Sequence, residues 1–146
     1  MSKELKILIL GDLHGDQVKL YFKDFDAIIL PGDICGDSPK LFHFESLRDK
    51  LAGKKQRPWF EICGKEKAKI MVEEDIAKGR KTLEFLNSLG KPVFACAGNW
   101  DYVDEFLPWD TGYFHKDWDF LNRNIFNDLI KNLENVKPLH LSLIHI

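Results

Sequence analysis

The sequence predicts an α/β domain on a parallel sheet, and three observations carry that expectation. Three short apolar runs, Leu5-Lys6-Ile7-Leu8-Ile9-Leu10, Ala27-Ile28-Ile29-Leu30 and Val93-Phe94-Ala95-Cys96-Ala97, each stop at a glycine turn. Strands covered on both faces of a parallel sheet read this way. A long helical segment separates the second run from the third, so the order strand, helix, strand recurs with right-handed crossovers expected. With 146 residues, 45% of them hydrophobic, the chain can bury the core of one domain.

Taken in order, the first strand spans residues 5–10 and stops at Gly11. Residues Asp16 to Phe22 have room for a short helix, with Asp16 available to cap it. The second strand ends at Pro31-Gly32. Residues 37–65 then break the rhythm with an aromatic and basic stretch holding Phe42, His43, Phe44, Lys54, Lys55, Arg57, Trp59 and Phe60. Its length fits a cap or lid insertion or a plain surface excursion. A long helix follows from Glu66 to Leu89, with Ile70, Ile76, Leu83, Leu86 and Leu89 among its apolar positions. Gly90 and Pro92 end it. After the third strand, Trp118, Leu121, Ile125, Leu129 and Leu133 fall at helical spacing and predict a last helix over residues 117–133, its stripe facing the core. The whole of 1–146 reads as one domain.

Composition excludes several classes. The net charge is −2 and the isoelectric point about 6.2, so strong non-specific nucleic-acid binding is not expected. No apolar run approaches a membrane span, and the start has no signal-peptide layout. Cytoplasmic placement is expected. Cys35, Cys63 and Cys96 are odd in number and lack CxxC spacing, which argues against a disulfide framework or a zinc knuckle. Cys63 and Cys96 read as small buried residues; Cys35 stands two positions from a candidate ligand.

All three strand-ending turns carry hard metal-ligand types: Gly11-Asp12-Leu13-His14-Gly15, Gly32-Asp33-Ile34-Cys35-Gly36-Asp37 and Gly98-Asn99-Trp100-Asp101. The carboxyl ends of parallel strands share one edge, so these turns converge on one crevice. Asp12 and His14 can aim at one ion, a carboxylate and an imidazole together. Asp33 can bridge two ions through its two oxygens, and Asn99 offers an amide oxygen to the second. Trp100 either stacks on an aromatic group of a substrate or packs under its turn. Asp101, and less so Asp37, either supports a ligand from behind or caps a turn.

The ordered set Asp-x-His, Gly-Asp and Gly-Asn resembles the signature of calcineurin-like metallophosphoesterases over roughly residues 5–101. The resemblance implies a β-sandwich flanked by helices and a centre of two divalent metal ions drawn from Mn, Fe, Zn or Ni. Asp12 and His14 would hold the first ion, Asp33 would bridge, and Asn99 would hold the second, with Asp33 and Asn99 also counted as catalytic. The implied substrate is a phosphomonoester or phosphodiester, hydrolysed by a water that the two metals activate. The chain departs from the family pattern at Trp100, where many members carry a histidine acting on the leaving group. It also lacks the late isolated His and the Gly-His-x-His turn. His140 and His145, five apart in a strand-like run, read as core or tail residues; His43 and His115 read as surface histidines. The apolar stretch 139–146 stops abruptly, so the sandwich is expected to be incomplete at the C-terminus and the last residues to be read through from adaptor or vector sequence. The alternative function is a catalytically inactive protein-interaction module on the same fold.

Overall fold

A computed structural model of the chain describes residues 4–101, 118–122 and 125–139. Its elements are β1 (Ile7–Ile9), β2 (Ala27–Leu30), α1 (Lys40–Leu51), α2 (Trp59–Cys63), α3 (Lys65–Ser88), β3 (Val93–Ala95), a single 3-10 turn at Asn99–Asp101, α4 (Ile125–Ile130) and β4 (Val136–Pro138). The four strands form one parallel sheet in the order β1-β2-β3-β4. The expected α/β class and parallel order are therefore observed, with helices flanking the sheet. The second sheet of a sandwich is not among the described residues.

The register puts Leu8, Ile28, Val93 and Val136 side by side on one face. Ile28 and Val93 are fully buried there, in one cluster with Val72, Leu83 and Leu86 of α3 and Ile125 and Leu129 of α4. The opposite face is open at β1, where Ile7 is 46% and Ile9 65% exposed. This corrects the expectation that the first strand is covered on both sides. β1 pairs only with β2, and no described element lies over its Ile7 and Ile9 side chains. An unbroken apolar run does not say which of its faces will find a partner.

α3 matches the expected long helix. Gly90 follows it at φ 67, and the Leu89 and Gly90 N–H groups bond back to the carbonyls of Leu86 and Asn87, closing the helix as a left-handed residue does. Its buried positions are Ala68, Val72, Asp75, Gly79, Thr82, Leu83 and Leu86, whereas Ile70 is exposed. Within residues 37–65 the chain forms α1 and α2, and α2 drives Trp59 and Phe60 wholly into the core.

Two expected helices are corrected. No helix forms over residues 16–22: the Asp16 N–H closes a turn on the Leu13 carbonyl, and only Val18 and Leu20 pack on the core. Inward positions two apart belong to extended chain rather than a helix. Among the described residues, the helix expected over 117–133 is present only as α4. Residues 118–122 form a turn closed on the Trp118 carbonyl, and Asn132 at φ 62 lies just past the end of α4. The stripe is nonetheless core, with Leu121, Ile125, Leu129 and Leu133 buried. β4 was not anticipated, and of the strand-like tail that was, residues 139–146, all but Leu139 lie outside the described residues.

Candidate metal centre

Because the strands are parallel, the turns after β1, β2 and β3 leave the sheet at one edge, as the apolar runs predicted. Hydrogen bonds then join them pairwise. The His14 N–H donates to the Asp33 carbonyl at 2.9 Å and the Gly15 N–H to that of Ile34 at 3.1 Å. On the other side the Trp100 N–H donates to Asp33 Oδ1 at 2.9 Å. The middle turn is thus held from both flanks.

Asp101 completes the tie. Its carboxylate is fully buried; Oδ1 accepts the Ile34 and Cys35 N–H groups at 2.9 and 2.8 Å, and Oδ2 accepts the Gly98 N–H at 2.8 Å. Burial pushes its pKa above the ordinary carboxylate value, and the three N–H bonds push back. Asp101 therefore locks the second turn to the third through their backbone N–H groups.

Ligand atoms of Asp12, His14 and Asp33 all lie within 4.8 Å of one another. Asp12 is exposed and the other two half-buried, so the group is reachable from solvent. All three have left-handed backbone, with φ of 50, 47 and 54 respectively. That conformation is uncommon for non-glycine residues and costs on the order of 1 kcal/mol each, a strain that concentrates at functional sites. Two carboxylates and an imidazole converging in this way suit a divalent first-row cation. The donor set therefore fits the metal its residues imply.

Asn99 sits between two residues in contact with Asp33. Gly98 packs so closely on it that an added Cβ would stand 2.8 Å from Asp33 Cγ, and Trp100 donates to its carboxylate. That bond leaves Oδ2 and the second lone pair of Oδ1 for other partners. Trp100 is half-buried, with its ring edge-on to His43 at 5.2 Å between centroids; the Trp59 ring also lies 5.2 Å from His43. His43 is therefore not a plain surface histidine: α1 inserts it between a core tryptophan and the tryptophan of the third turn. His115, His140 and His145 lie outside the described residues.

Cys35 is fully buried with its Sγ against Gly79 of α3. Burial first, then the Asp101 charge, holds its thiol well above the ordinary cysteine value. It is a packing residue between turn and helix. All three cysteines are free thiols.

Sequence reasoning passed over Asp75 and Lys78 of α3. Asp75 is fully buried beneath the second turn, and Lys78 reaches its Oδ1 at 3.0 Å. A signal was present: Asp75 falls between Val72 and Gly79 on the buried stripe of α3, where a carboxylate needs partners.

A family model described as calcineurin-like phosphoesterase matches residues 5–144 of the chain. No curated protein and no solved structure matches it. No helix among the described residues is long and apolar enough to cross a membrane.

Proposed function

The chain belongs to the calcineurin-like phosphoesterase family, and from that premise we propose that it hydrolyses a phosphomonoester or phosphodiester with two divalent metal ions. The observation that carries the reading is the convergence of Asp12, His14 and Asp33 ligand atoms within 4.8 Å. Asp12 and His14 would hold the first ion, and Asp33 and Asn99 would supply oxygen donors to the second. Two bound ions supply an electrostatic clamp on the phosphoryl oxygens and a water acidic enough to attack near neutral pH.

The protein's own part is positioning. Asp33 enters with Oδ1 already fixed by the Trp100 N–H, so its carboxylate plane is set before any ligand arrives. Trp100 stands at the sequence position where many members of the family carry a histidine that acts on the leaving group, and an indole N–H is no acid near pH 7. The ester should therefore carry a leaving group that departs readily, and the half-buried Trp100 ring is available to contact it. The three free thiols fit a reducing compartment, which supports placing the protein in the cytoplasm.

The test is hydrolysis of bis(p-nitrophenyl) phosphate with added Mn²⁺ by the chain and by Asp33→Asn. An asparagine keeps the acceptor for the Trp100 N–H but removes the anionic bridge, so activity should fall by at least ~100-fold with little change in melting temperature. Equal activity in both proteins would sink the assignment of Asp33. A chain that binds Mn²⁺ yet hydrolyses no phosphate ester would instead be the inactive interaction module.

A further inference from the structure

We propose that Asp37 is the hydrogen-bond partner that orients His14 on its metal ion, and that Asp75 of α3 is the residue that holds Asp37 in place. The inference rests on the metal-binding half of the function proposed above and is independent of which ester is cleaved.

His14 Nδ1 is a buried atom without a hydrogen-bond partner. Asp37 Oδ2 stands 3.6 Å from it, about 0.7 Å too far for a good N–H···O bond. A neutral imidazole that gives one nitrogen to a cation carries its proton on the other. That N–H is ordinarily held by a carboxylate, carbonyl or water, which fixes the ring and its tautomer. With the metal on Nε2, the Nδ1–H of His14 points its need at a group the structure has already brought within a small closing movement.

Asp37 is not there by the drift of a loop. Residues on both sides of it are tied to one buried side chain and its backbone. The Gly36 N–H donates to the Asp75 carbonyl at 3.3 Å, the Ser38 N–H to Asp75 Oδ2 at 2.8 Å, and the Ser38 hydroxyl to Oδ1 at 2.6 Å. Asp75 is fully buried on a helix whose neighbouring inward positions are apolar or small, so nothing in the packing of α3 itself calls for a carboxylate. Apart from Lys78, its side-chain partners belong to the loop that carries Asp37. Two lysines offset the added negative charge beside an acidic centre: Lys78 Nζ on Asp75 Oδ1 and Lys40 Nζ on Asp37 Oδ2, each at 3.0 Å. The Lys40 bond leaves the second lone pair of Oδ2 free to accept from His14. Asp37 and Asp75 are thus positioning residues that act through His14 rather than on the substrate.

The experiment uses the full chain with ¹⁵N-labelled histidine and Zn²⁺ as a diamagnetic probe. Nitrogen shifts should show His14 bound through Nε2 and protonated at Nδ1. Zn²⁺ affinity, measured by competition with a chelator, should fall roughly 10- to 100-fold in Asp37→Ala. Asp37→Asn, whose amide oxygen accepts the same bond, should lie between the two. Melting of the metal-free proteins should not follow that order. Asp75→Ala should lose comparable affinity; if it fails to fold, Ser38→Ala should show a smaller loss in the same direction. Zn²⁺ on Nδ1, unchanged affinity in Asp37→Ala, or no Zn²⁺ binding by the wild-type chain would each overturn the proposal. Tight Zn²⁺ binding with the expected shifts but no hydrolysis of any ester would refute the catalytic reading alone.

Discussion

Replacing Gly98 by alanine probes the site at its tightest point. The glycine is not among those with positive φ, so alanine is conformationally allowed and the effect comes from packing. A Cβ there would stand 2.8 Å from Asp33 Cγ and closer still to its backbone nitrogen and Oδ1. These are backbone or short-stem atoms, and the carboxylate is already held by the Trp100 N–H. None is the flexible end of a long side chain. Carbon atoms in contact sit at about 3.5–4.0 Å, so Asp33 has to retreat by about 1 Å. Overpacking of this kind costs about 1–3 kcal/mol, of which the stiffer unfolded chain returns ~0.4–1 kcal/mol. The larger effect is on function: a ligand displaced by ~1 Å lies outside the ~0.5 Å tolerance of a preorganised site, and turnover should fall ~100-fold. Mn²⁺ titration calorimetry and thermal melting check this. The control is Gly53→Ala, where a Cβ meets nothing within 4 Å but φ is 70. It should lose ~1–2 kcal/mol to backbone strain and leave Mn²⁺ affinity alone. If Gly98→Ala binds Mn²⁺ within two-fold of wild type, the close packing of the third turn on Asp33 is not what holds the centre together.

Asp101→Asn keeps one acceptor for Ile34 and Cys35 but turns an amide toward the Gly98 N–H, so stability should fall by about 1–3 kcal/mol in urea unfolding. Because burial raises the folded pKa of Asp101, its proton-linked stability is fully present below the unfolded value of about 3.9 and is lost as pH rises through the folded value. The deficit of the variant should therefore be larger in acid than at neutral pH; the reverse trend would mean that the three N–H bonds outweigh desolvation. Cys35, fully buried with its thiol pushed well above the usual value, should resist iodoacetamide until the chain unfolds, as mass mapping of labelled peptides can show. Labelling at the rate of a free thiol would contradict its packing against Gly79. Ile9→Thr on the open face of β1 should change stability by no more than ~0.5 kcal/mol, whereas Ile28→Ala on the covered face should cost ~2–5 kcal/mol. Similar losses at the two positions would refute an open face at Ile9 of β1.

The candidate site was legible in the sequence because its signals are local. A buried strand announces itself as an apolar run, a turn as Gly-Asp or Gly-Asn, and parallel order places all three turns on one edge whatever the details of packing. Asp12, His14 and Asp33, whose ligand atoms lie within 4.8 Å of one another, stand in turns that could be picked out from position, Asn99 was named beside them as an expectation, and the resemblance these motifs carry agrees with the family match over residues 5–144. The long helix α3 was legible for the same reason, since its periodicity and its Gly90 stop lie within one segment.

What only the tertiary structure decided are the relations between segments distant in sequence. Whether the apolar faces of β1 are covered depends on which elements pack over them. Residues 16–22 form no helix, and Val18 and Leu20 pack on the core two positions apart, although their local signals favour a helix. His43 is a surface histidine by its neighbours in sequence and a bridge between Trp59 and Trp100 by its neighbours in space. Asp101 and Asp75 are single acidic letters in the chain; their roles appear only when the N–H groups of Ile34, Cys35, Gly98 and Ser38 are brought to them across the turns. The sequence by itself determined which side chains could bind a metal, because donor chemistry belongs to the residue. The tertiary structure decided which backbone groups hold those side chains in place, because a hydrogen bond between distant segments exists only once the chain has folded.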